Sequence, residues 1–145
     1  MSFRKILIAV DESAFAARAA DIGFDLARSL GAEVAIIHVV DPSVVAYAPE
    51  GGPPAGELVT LAQQDGKKLL AALGQRAALQ PVPLELIHVG KTVTEIVKAA
   101  KEWPAELIVI GSHGRGGVER LLLGSVAEGV MRHAVCPVLV VRAKE

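Results

Sequence analysis

The sequence is poor in cysteine, in aromatic residues and in clusters of like charge. Its only cysteine, Cys136, has no partner for a disulfide or for a Cys-x-x-Cys metal or redox motif, so we expect an inert core thiol. Aromatic residues make up 3% of the chain, too few for the stacking platforms of single-strand binders. With a formal net charge of −1 and no block of Lys and Arg, nucleic acids and membranes are not expected as partners.

Long hydrophobic runs are also missing. The first apolar run, Ile6 to Val10, is far shorter than the core of a signal peptide or a membrane-spanning helix, so we expect a cytoplasmic protein. Hydrophobic residues nevertheless make up 52% of the chain and charged residues 21%, a balance that suits a buried core beneath a solvated surface. The length of 145 residues fits one domain, residues 1–145.

Short β-branched apolar runs alternate with longer stretches of helical periodicity. This alternation is typical of βαβ units, and the nearly continuous apolar character of the runs predicts strands buried on both faces. We therefore predict an α/β fold with a single doubly wound five-stranded parallel sheet, order 3-2-1-4-5, flanked by about four helices. The predicted strands run from Lys5 to Val10, Glu33 to Val40, Leu84 to Val89, Glu106 to Ile110 and Val138 to Val141.

Capping residues and breakers mark the predicted helices. Thr92-x-x-Glu95 has the pattern of a capping box, and glycine or proline follows the first two helical stretches. The predicted helices run from near Ser13 to before Gly31, from Glu57 to Leu79, from Thr92 onward and from Gly124-Ser125 onward. Between Asp41 and Gly56, four prolines and three glycines predict a surface loop or lid without regular structure.

Ligands of such sheets bind beyond the carboxyl ends of the strands where winding reverses, here after strands one and four. Asp11 follows the first of these strands, and the densest glycine region of the chain follows the second. Glycine lets backbone N–H groups approach an anion, and a helix N-terminus adds positive potential, so this region suits a phosphate. Its glycines are Gly111, Gly114, Gly116 and Gly117, with Gly124 at the start of the next helix.

Three of these candidates also have a purely structural interpretation. Ser125-x-x-Glu128 is itself a capping box, and the Asp11 carboxylate suits a turn or a helix cap. Arg115 is either a solvated loop charge or a guanidinium for a phosphate. Four glycines within seven positions exceed what a strand-to-helix turn needs, and this excess favours a ligand.

The spacing Gly111-x2-Gly114-x9-Gly124-Ser125 resembles the nucleotide motif of the ATP-binding branch of the universal stress protein family. The segment from Lys5 to Ser13 looks like that family's first strand and loop. Ala35 to Val40 and Cys136 to Arg142 look like its second and last strands, so the resemblance covers the whole chain. It implies a fold like that of the adenine nucleotide alpha-hydrolases, with ATP as the ligand.

The resemblance also implies the site residues. Asp11 would reach the ribose or a bound Mg²⁺, and the backbone of Val39 would recognise the adenine edge. A branched side chain at Gly114 or Gly124 is expected to abolish ATP binding while leaving the fold largely intact. The last strand lies at a sheet edge in the predicted order, and the family resemblance implies a homodimer paired there. The ribose and phosphates would be held by Gly111, Gly114, Arg115, Gly124, Ser125 and Val126.

Other nucleotide and catalytic signatures are missing. No Gly-x-Gly-x-x-Gly follows the first strand, and no Walker lysine or Gly-x-Ser-x-Gly nucleophile elbow occurs. The four histidines follow no zinc-ligand spacing, and only His113 lies in the glycine region. The leading hypothesis is a nucleotide-responsive regulatory or stress-resistance module with an unnamed downstream partner. The alternatives are a slow ATP hydrolase and a nucleotide-free dimeric adaptor.

Overall fold

The computed structural model describes residues 3–45, 51–113 and 123–142. Within these ranges, five parallel strands form one sheet in the order β3-β2-β1-β4-β5, which confirms the predicted topology. The strands are β1 (Lys5–Ala9), β2 (Glu33–Val40), β3 (Leu84–Val89), β4 (Leu107–Gly111) and β5 (Val138–Val141). The helices are α1 (Ala14–Leu30), α2 (Pro42–Val45), α3 (Ala55–Ala77), α4 (Thr92–Glu102) and α5 (Ser125–His133).

Two apolar layers cover the sheet. Side chains alternate along β1, so Ile6 and Ile8 pack with α1 and α3 on one face while Leu7 packs with α4 and α5 on the other. All three side chains are 0% exposed, as a strand covered on both faces requires. None of the helices in the described ranges is long and apolar enough to cross a membrane.

Helix α1 has the predicted start and stop. The hydroxyl of Ser13 accepts a hydrogen bond from the backbone N–H of Ala16 at 3.2 Å, as an N-cap side chain does. Gly31 ends the helix in the left-handed conformation at φ 66°, where a residue without a Cβ is favoured. These two caps fix where the chain leaves β1 and where it enters β2.

The prediction that residues 41–56 lack regular structure is wrong at both ends of the segment. Asp41 Oδ1 accepts hydrogen bonds from the N–H of Ser43 at 2.9 Å and from its hydroxyl at 2.7 Å, which caps the short helix α2. Pro42 is the first residue of that helix, where its missing N–H needs no acceptor. Helix α3 already begins at Ala55. Residues 46–50 lie outside the described ranges.

Both predicted capping boxes are wrong. Thr92 and Ser125 are each the first helical residue, so the N-cap positions belong to Lys91 and Gly124, and neither makes a side-chain cap bond. The two glutamates have other partners: Glu95 binds His88 and Glu128 binds Arg132, each at 3.0 Å. Because α2 is added to the predicted four, the described ranges contain five helices.

Some boundaries differ from the predicted ones by one or two residues. Glu106 directly precedes β4: its backbone N–H donates to the carbonyl of Lys5 at 2.8 Å, and its Oε1 accepts the backbone N–H of Arg4 at 2.7 Å. At the other end of β4, Gly111 pairs with Val141 and extends the strand. Helix α3 ends at Ala77, since Ala78 adopts a left-handed backbone at φ 50°. The carboxyl ends that border the predicted ligand position each differ by one residue, since β1 ends at Ala9 instead of Val10 and β4 at Gly111 instead of Ile110.

Candidate functional site

A cavity of about 980 Å³ lies at the carboxyl ends of the strands, where winding reverses between β1 and β4. Its walls come from the ends of β1, β2 and β4, from α2 and α3, and from the first turns of α4 and α5. This is the position that the sequence predicted for a ligand. The volume is at the upper end of the roughly 300–1,000 Å³ range of small-molecule pockets.

Six of the eight predicted site residues line this one cavity. The other two, Gly114 and Arg115, lie outside the described ranges. The sheet brings together residues that are up to 115 positions apart in the chain, because β1, β2 and β4 end side by side. The six that meet are Asp11, Val39, Gly111, Gly124, Ser125 and Val126.

Asp11 has the turn role that the sequence left open. Its Oδ1 accepts a hydrogen bond from the backbone N–H of Ser13 at 2.8 Å, and Ser13 in turn caps α1. The carboxylate is therefore held at a fixed place on the rim of the cavity. The bond to Ser13 does not test whether Asp11 binds ribose or Mg²⁺, so that role stays a prediction. A carboxylate oxygen that accepts a hydrogen bond in a turn can still coordinate a cation.

Gly124 packs against the backbone of Ser112, the residue that follows β4. Its N–H donates to the carbonyl oxygen of Ser112 at 2.5 Å, and a Cβ at this position would lie 2.9 Å from that same oxygen. Any larger residue must therefore push α5 away from Ser112. The expectation that a branched residue at Gly124 leaves the fold intact is thus contradicted by this contact.

The first turn of α5 faces the cavity through Ser125, Val126 and Ala127. The first bond within the helix runs from the N–H of Glu128 to the carbonyl of Gly124 at 3.0 Å. The N–H groups of the helix before Glu128 have no acceptor inside it, so together with the helix dipole they present positive potential to the cavity.

Ser112 and His113 extend the site and were not predicted as a pair. Ser112 is 3% exposed, and its hydroxyl lies 3.1 Å from Nδ1 of His113. The His113 ring is tilted against Phe15 with the centroids 6.3 Å apart. Ser112 follows a buried strand directly, and that position was the only sequence signal that could have identified it.

The charge of the cavity wall is negative among the described residues. Asp11 and Glu12 follow β1, Asp41 follows β2, and Asp65 lies on α3, whereas no lysine or arginine of the described ranges lines the cavity. A polyanionic ligand would therefore need cationic help from a bound metal ion or from Arg115. No cluster of three or more metal-binding side chains occurs within the described ranges.

The backbone of Val39 faces the cavity beyond the end of β1. Strand pairing between β1 and β2 stops at Ala9 and Ile37, whereas β2 continues to Val40 because it still pairs with β3. Alternation along β2 directs the N–H and C=O of Val39 to the β1 side. An N–H donor and a C=O acceptor thus lie side by side at the cavity wall.

Comparison with known proteins agrees with this architecture. The family model described as the universal stress protein family matches residues 2–142. The chain is 36% identical to universal stress protein YxiE of Bacillus subtilis, over 97% of this chain and 99% of that protein. Its structure is similar to that of UspA from Lactobacillus plantarum, with a TM-score of 0.87, 29% identity and coverage of 98% and 99% of the two chains.

A third similar protein was solved with a ligand. It is the universal stress protein from Archaeoglobus fulgidus in complex with dAMP, with a TM-score of 0.65, 26% identity and coverage of 97% and 98%. Together with the match over residues 2–142, these likenesses make the assignment plain. The chain belongs to the universal stress protein family.

Proposed function

We propose that this chain binds ATP in the cavity at the carboxyl ends of β1, β2 and β4 and acts as a nucleotide-responsive regulatory or stress-resistance module. One observation carries the proposal: the Val39 backbone and the first turn of α5 open into the same cavity. The first suits an adenine edge and the second suits a phosphate. The dAMP complex of the Archaeoglobus fulgidus relative supports an adenine nucleotide as the ligand class.

The adenine end of the site is the backbone of Val39. Adenine presents an acceptor, N1, beside a donor, the N6 amino group. The N–H and C=O of Val39 point to the same side and complement that pair. Hypoxanthine and guanine present a donor at N1 and an acceptor at O6, so the same backbone groups would disfavour them.

The phosphate end is the first turn of α5 with the preceding glycines. Ser125 and Val126 supply backbone N–H groups, whereas the Gly124 N–H is already bonded to the Ser112 carbonyl, and Gly111 lines the cavity beside them. The family motif adds Gly114 and Arg115, and the guanidinium of Arg115 would supply positive charge for the phosphates.

Mg²⁺ fits the same arrangement. This ion prefers oxygen ligands and commonly binds through one or two carboxylates together with substrate phosphates. Asp11 would hold it, and Mg²⁺ would supply positive charge where the described wall carries only carboxylates and histidines as ionisable groups. Affinity for ATP should therefore depend on Mg²⁺.

The module would act as a homodimer through β5, which lies at the edge of the sheet. Three apolar side chains around this strand are exposed: Met131 by 50%, Val135 by 68% and Leu139 by 37%. The backbone of Val138 and Val140 points away from β4, because the bonds to β4 come from Pro137 and Val141. A second copy would cover both the open backbone groups and the apolar side chains.

To test this proposal, nucleotide-stripped protein is incubated with ATP and Mg²⁺ and unbound nucleotide is removed. Chromatography then identifies the nucleotide that the protein retains and the nucleotide that it releases over hours. Retained ATP that stays intact supports the regulatory module. ADP that accumulates in proportion to protein would replace it with a slow hydrolase. No retained nucleotide at all would replace it with a nucleotide-free adaptor.

A further inference from the structure

The backbone ladder between β1 and β2 lacks, at its carboxyl end, one hydrogen bond that a regular parallel ladder would contain. The N–H of Val10 donates to the carbonyl of Ile37 at 2.9 Å, so the next bond of a regular parallel ladder would run from the Val39 N–H to the carbonyl of Val10. That bond is not formed, and both residues belong to the described ranges. The Val39 N–H therefore remains directed into the cavity.

The Val10 carbonyl has a different partner. Nδ1 of His38 lies 3.0 Å from this oxygen, and because a carbonyl only accepts, Nδ1 carries the proton and donates it. His38 is the neighbour of Val39 on β2, and its side chain is on the opposite face of the sheet, toward α3. The donor thus draws the Val10 carbonyl toward the α3 face and away from Val39.

A glycine in helix α3 leaves space for the imidazole ring of His38. Gly66 lies in the middle of that helix, where glycine costs about 1 kcal/mol relative to alanine. A Cβ on Gly66 would lie 2.7 Å from Cδ2 of His38 and 2.9 Å from Cδ1 of Ile87. The ring therefore occupies the space that any other residue at position 66 would need.

We propose that His38 is a positioning residue for adenine recognition: its Nδ1–H holds the Val10 carbonyl and keeps the Val39 N–H available for N1 of the base. This inference rests on the proposed function and adds a specificity device to it. His38 itself touches no part of the nucleotide in this scheme. Its effect passes through two backbone groups, Val10 C=O and Val39 N–H.

The ligand test uses an ATP analogue in which a carbon replaces N1 of adenine, 1-deaza-ATP. The wild-type chain should bind ATP about three- to tenfold more tightly than the analogue, the worth of one hydrogen bond. His38→Leu keeps apolar bulk but has no hydrogen-bond donor, so the Val39 N–H should donate to the Val10 carbonyl instead. ATP should then bind more weakly, and the ratio of the affinities for ATP and 1-deaza-ATP should fall to about one. His38→Asn has a side-chain N–H near the position of Nδ1 and should retain the preference.

Gly66→Ala perturbs the same contact without removing the imidazole. Its Cβ displaces the ring from Val10, so the preference for ATP should also fall toward onefold. Gly74→Ala is the matched control on α3, because its Cβ would meet only Oε2 of Glu85 at 3.4 Å. Equal preference for ATP in wild type and in folded His38→Leu would overturn the inference, and so would a His38→Asn variant that behaves like His38→Leu.

An exchange measurement tests the inference without any nucleotide. In the nucleotide-free wild type, the amide of Val39 should exchange with solvent faster than that of Ile37, which lies within the ladder. In His38→Leu the Val39 amide should become protected, because it pairs with Val10. A protected Val39 amide in the wild type contradicts the inference. Failure of the wild type to bind ATP contradicts the proposed function instead, so the two failures are distinguishable.

Discussion

Replacing Gly124 with alanine tests how the phosphate end of the cavity is built. The new Cβ would lie 2.9 Å from the carbonyl oxygen of Ser112 and 3.4 Å from Cα of His113. Both are backbone atoms, so relief requires α5 to move away from the end of β4. Overpacking of this kind costs roughly 1–3 kcal/mol, and loss of the bond from Gly124 N–H to Ser112 adds about 1 kcal/mol. The free energy of unfolding should fall by about 2–4 kcal/mol.

Urea denaturation followed by circular dichroism measures this change. An unaltered dependence of the unfolding free energy on urea concentration would show that the variant exposes the same surface on unfolding as the wild type. The matched control is Gly56→Ala near the start of α3, where a Cβ would meet nothing within 4 Å. There the stability should stay unchanged or rise by up to about 1 kcal/mol, since alanine favours the helix. If the free energy of unfolding of Gly124→Ala lies within about 0.5 kcal/mol of the wild-type value, the close contact between Gly124 and Ser112 is refuted.

Three further predictions concern charge, thiol chemistry and assembly. Asp11→Asn keeps an oxygen for the Ser13 N–H, so the turn before α1 should persist while calorimetry shows ATP affinity losing its Mg²⁺ dependence; a retained dependence contradicts the metal assignment. Burial raises the pKa of the Cys136 thiol, only partly offset by its backbone hydrogen bond, so the thiolate forms at higher pH. Its labelling rate should therefore rise at higher pH than that of a free cysteine peptide, and coincident profiles would oppose this. Leu139→Asp should convert a dimer to monomer in light scattering, and an unchanged dimer would exclude the β5 interface.

The sheet could be predicted from the sequence because burial on both faces imposes a local signal. Ile6 and Ile8 face one apolar layer and Leu7 the other, so β1 reads as an unbroken apolar run. Chain order and right-handed crossovers then leave few arrangements, and β3-β2-β1-β4-β5 is the predicted one. The helix boundaries at Ser13 and Gly31 followed because cap chemistry is also local.

The capping boxes failed because the N-cap positions belong to Lys91 and Gly124 and the two glutamates have other partners, Glu128 with Arg132 one turn on in α5 and Glu95 with a residue outside α4. Glu95 bonds His88, which precedes α4 at the end of β3, and no spacing rule for helix starts includes such a partner. The close approach of Gly124 to Ser112 joins residues twelve positions apart through the end of β4. Glycine at that position indicated a phosphate from the sequence, whereas the structure adds a packing reason for it.

The role of His38 was hidden for a related reason. The sequence shows His38 only as a histidine near the end of an apolar strand, without zinc-ligand spacing, whereas the structure shows its bond to the Val10 carbonyl. Its consequence for Val39 depends on the ladder register between β1 and β2 and on the glycine in α3 that makes room for the ring. Neither is a property of the neighbouring residues in the chain.

Calorimetric titration of ATP with Mg²⁺ into nucleotide-stripped protein tests whether the cavity binds ATP. We expect saturable binding of about one ATP per chain, with the nucleotide recovered intact by chromatography. ITP should bind more weakly, because its base reverses the donor and acceptor that Val39 meets. Absence of heat together with absence of retained nucleotide would exclude ATP as the ligand, and the cavity at the ends of β1, β2 and β4 would then need another one.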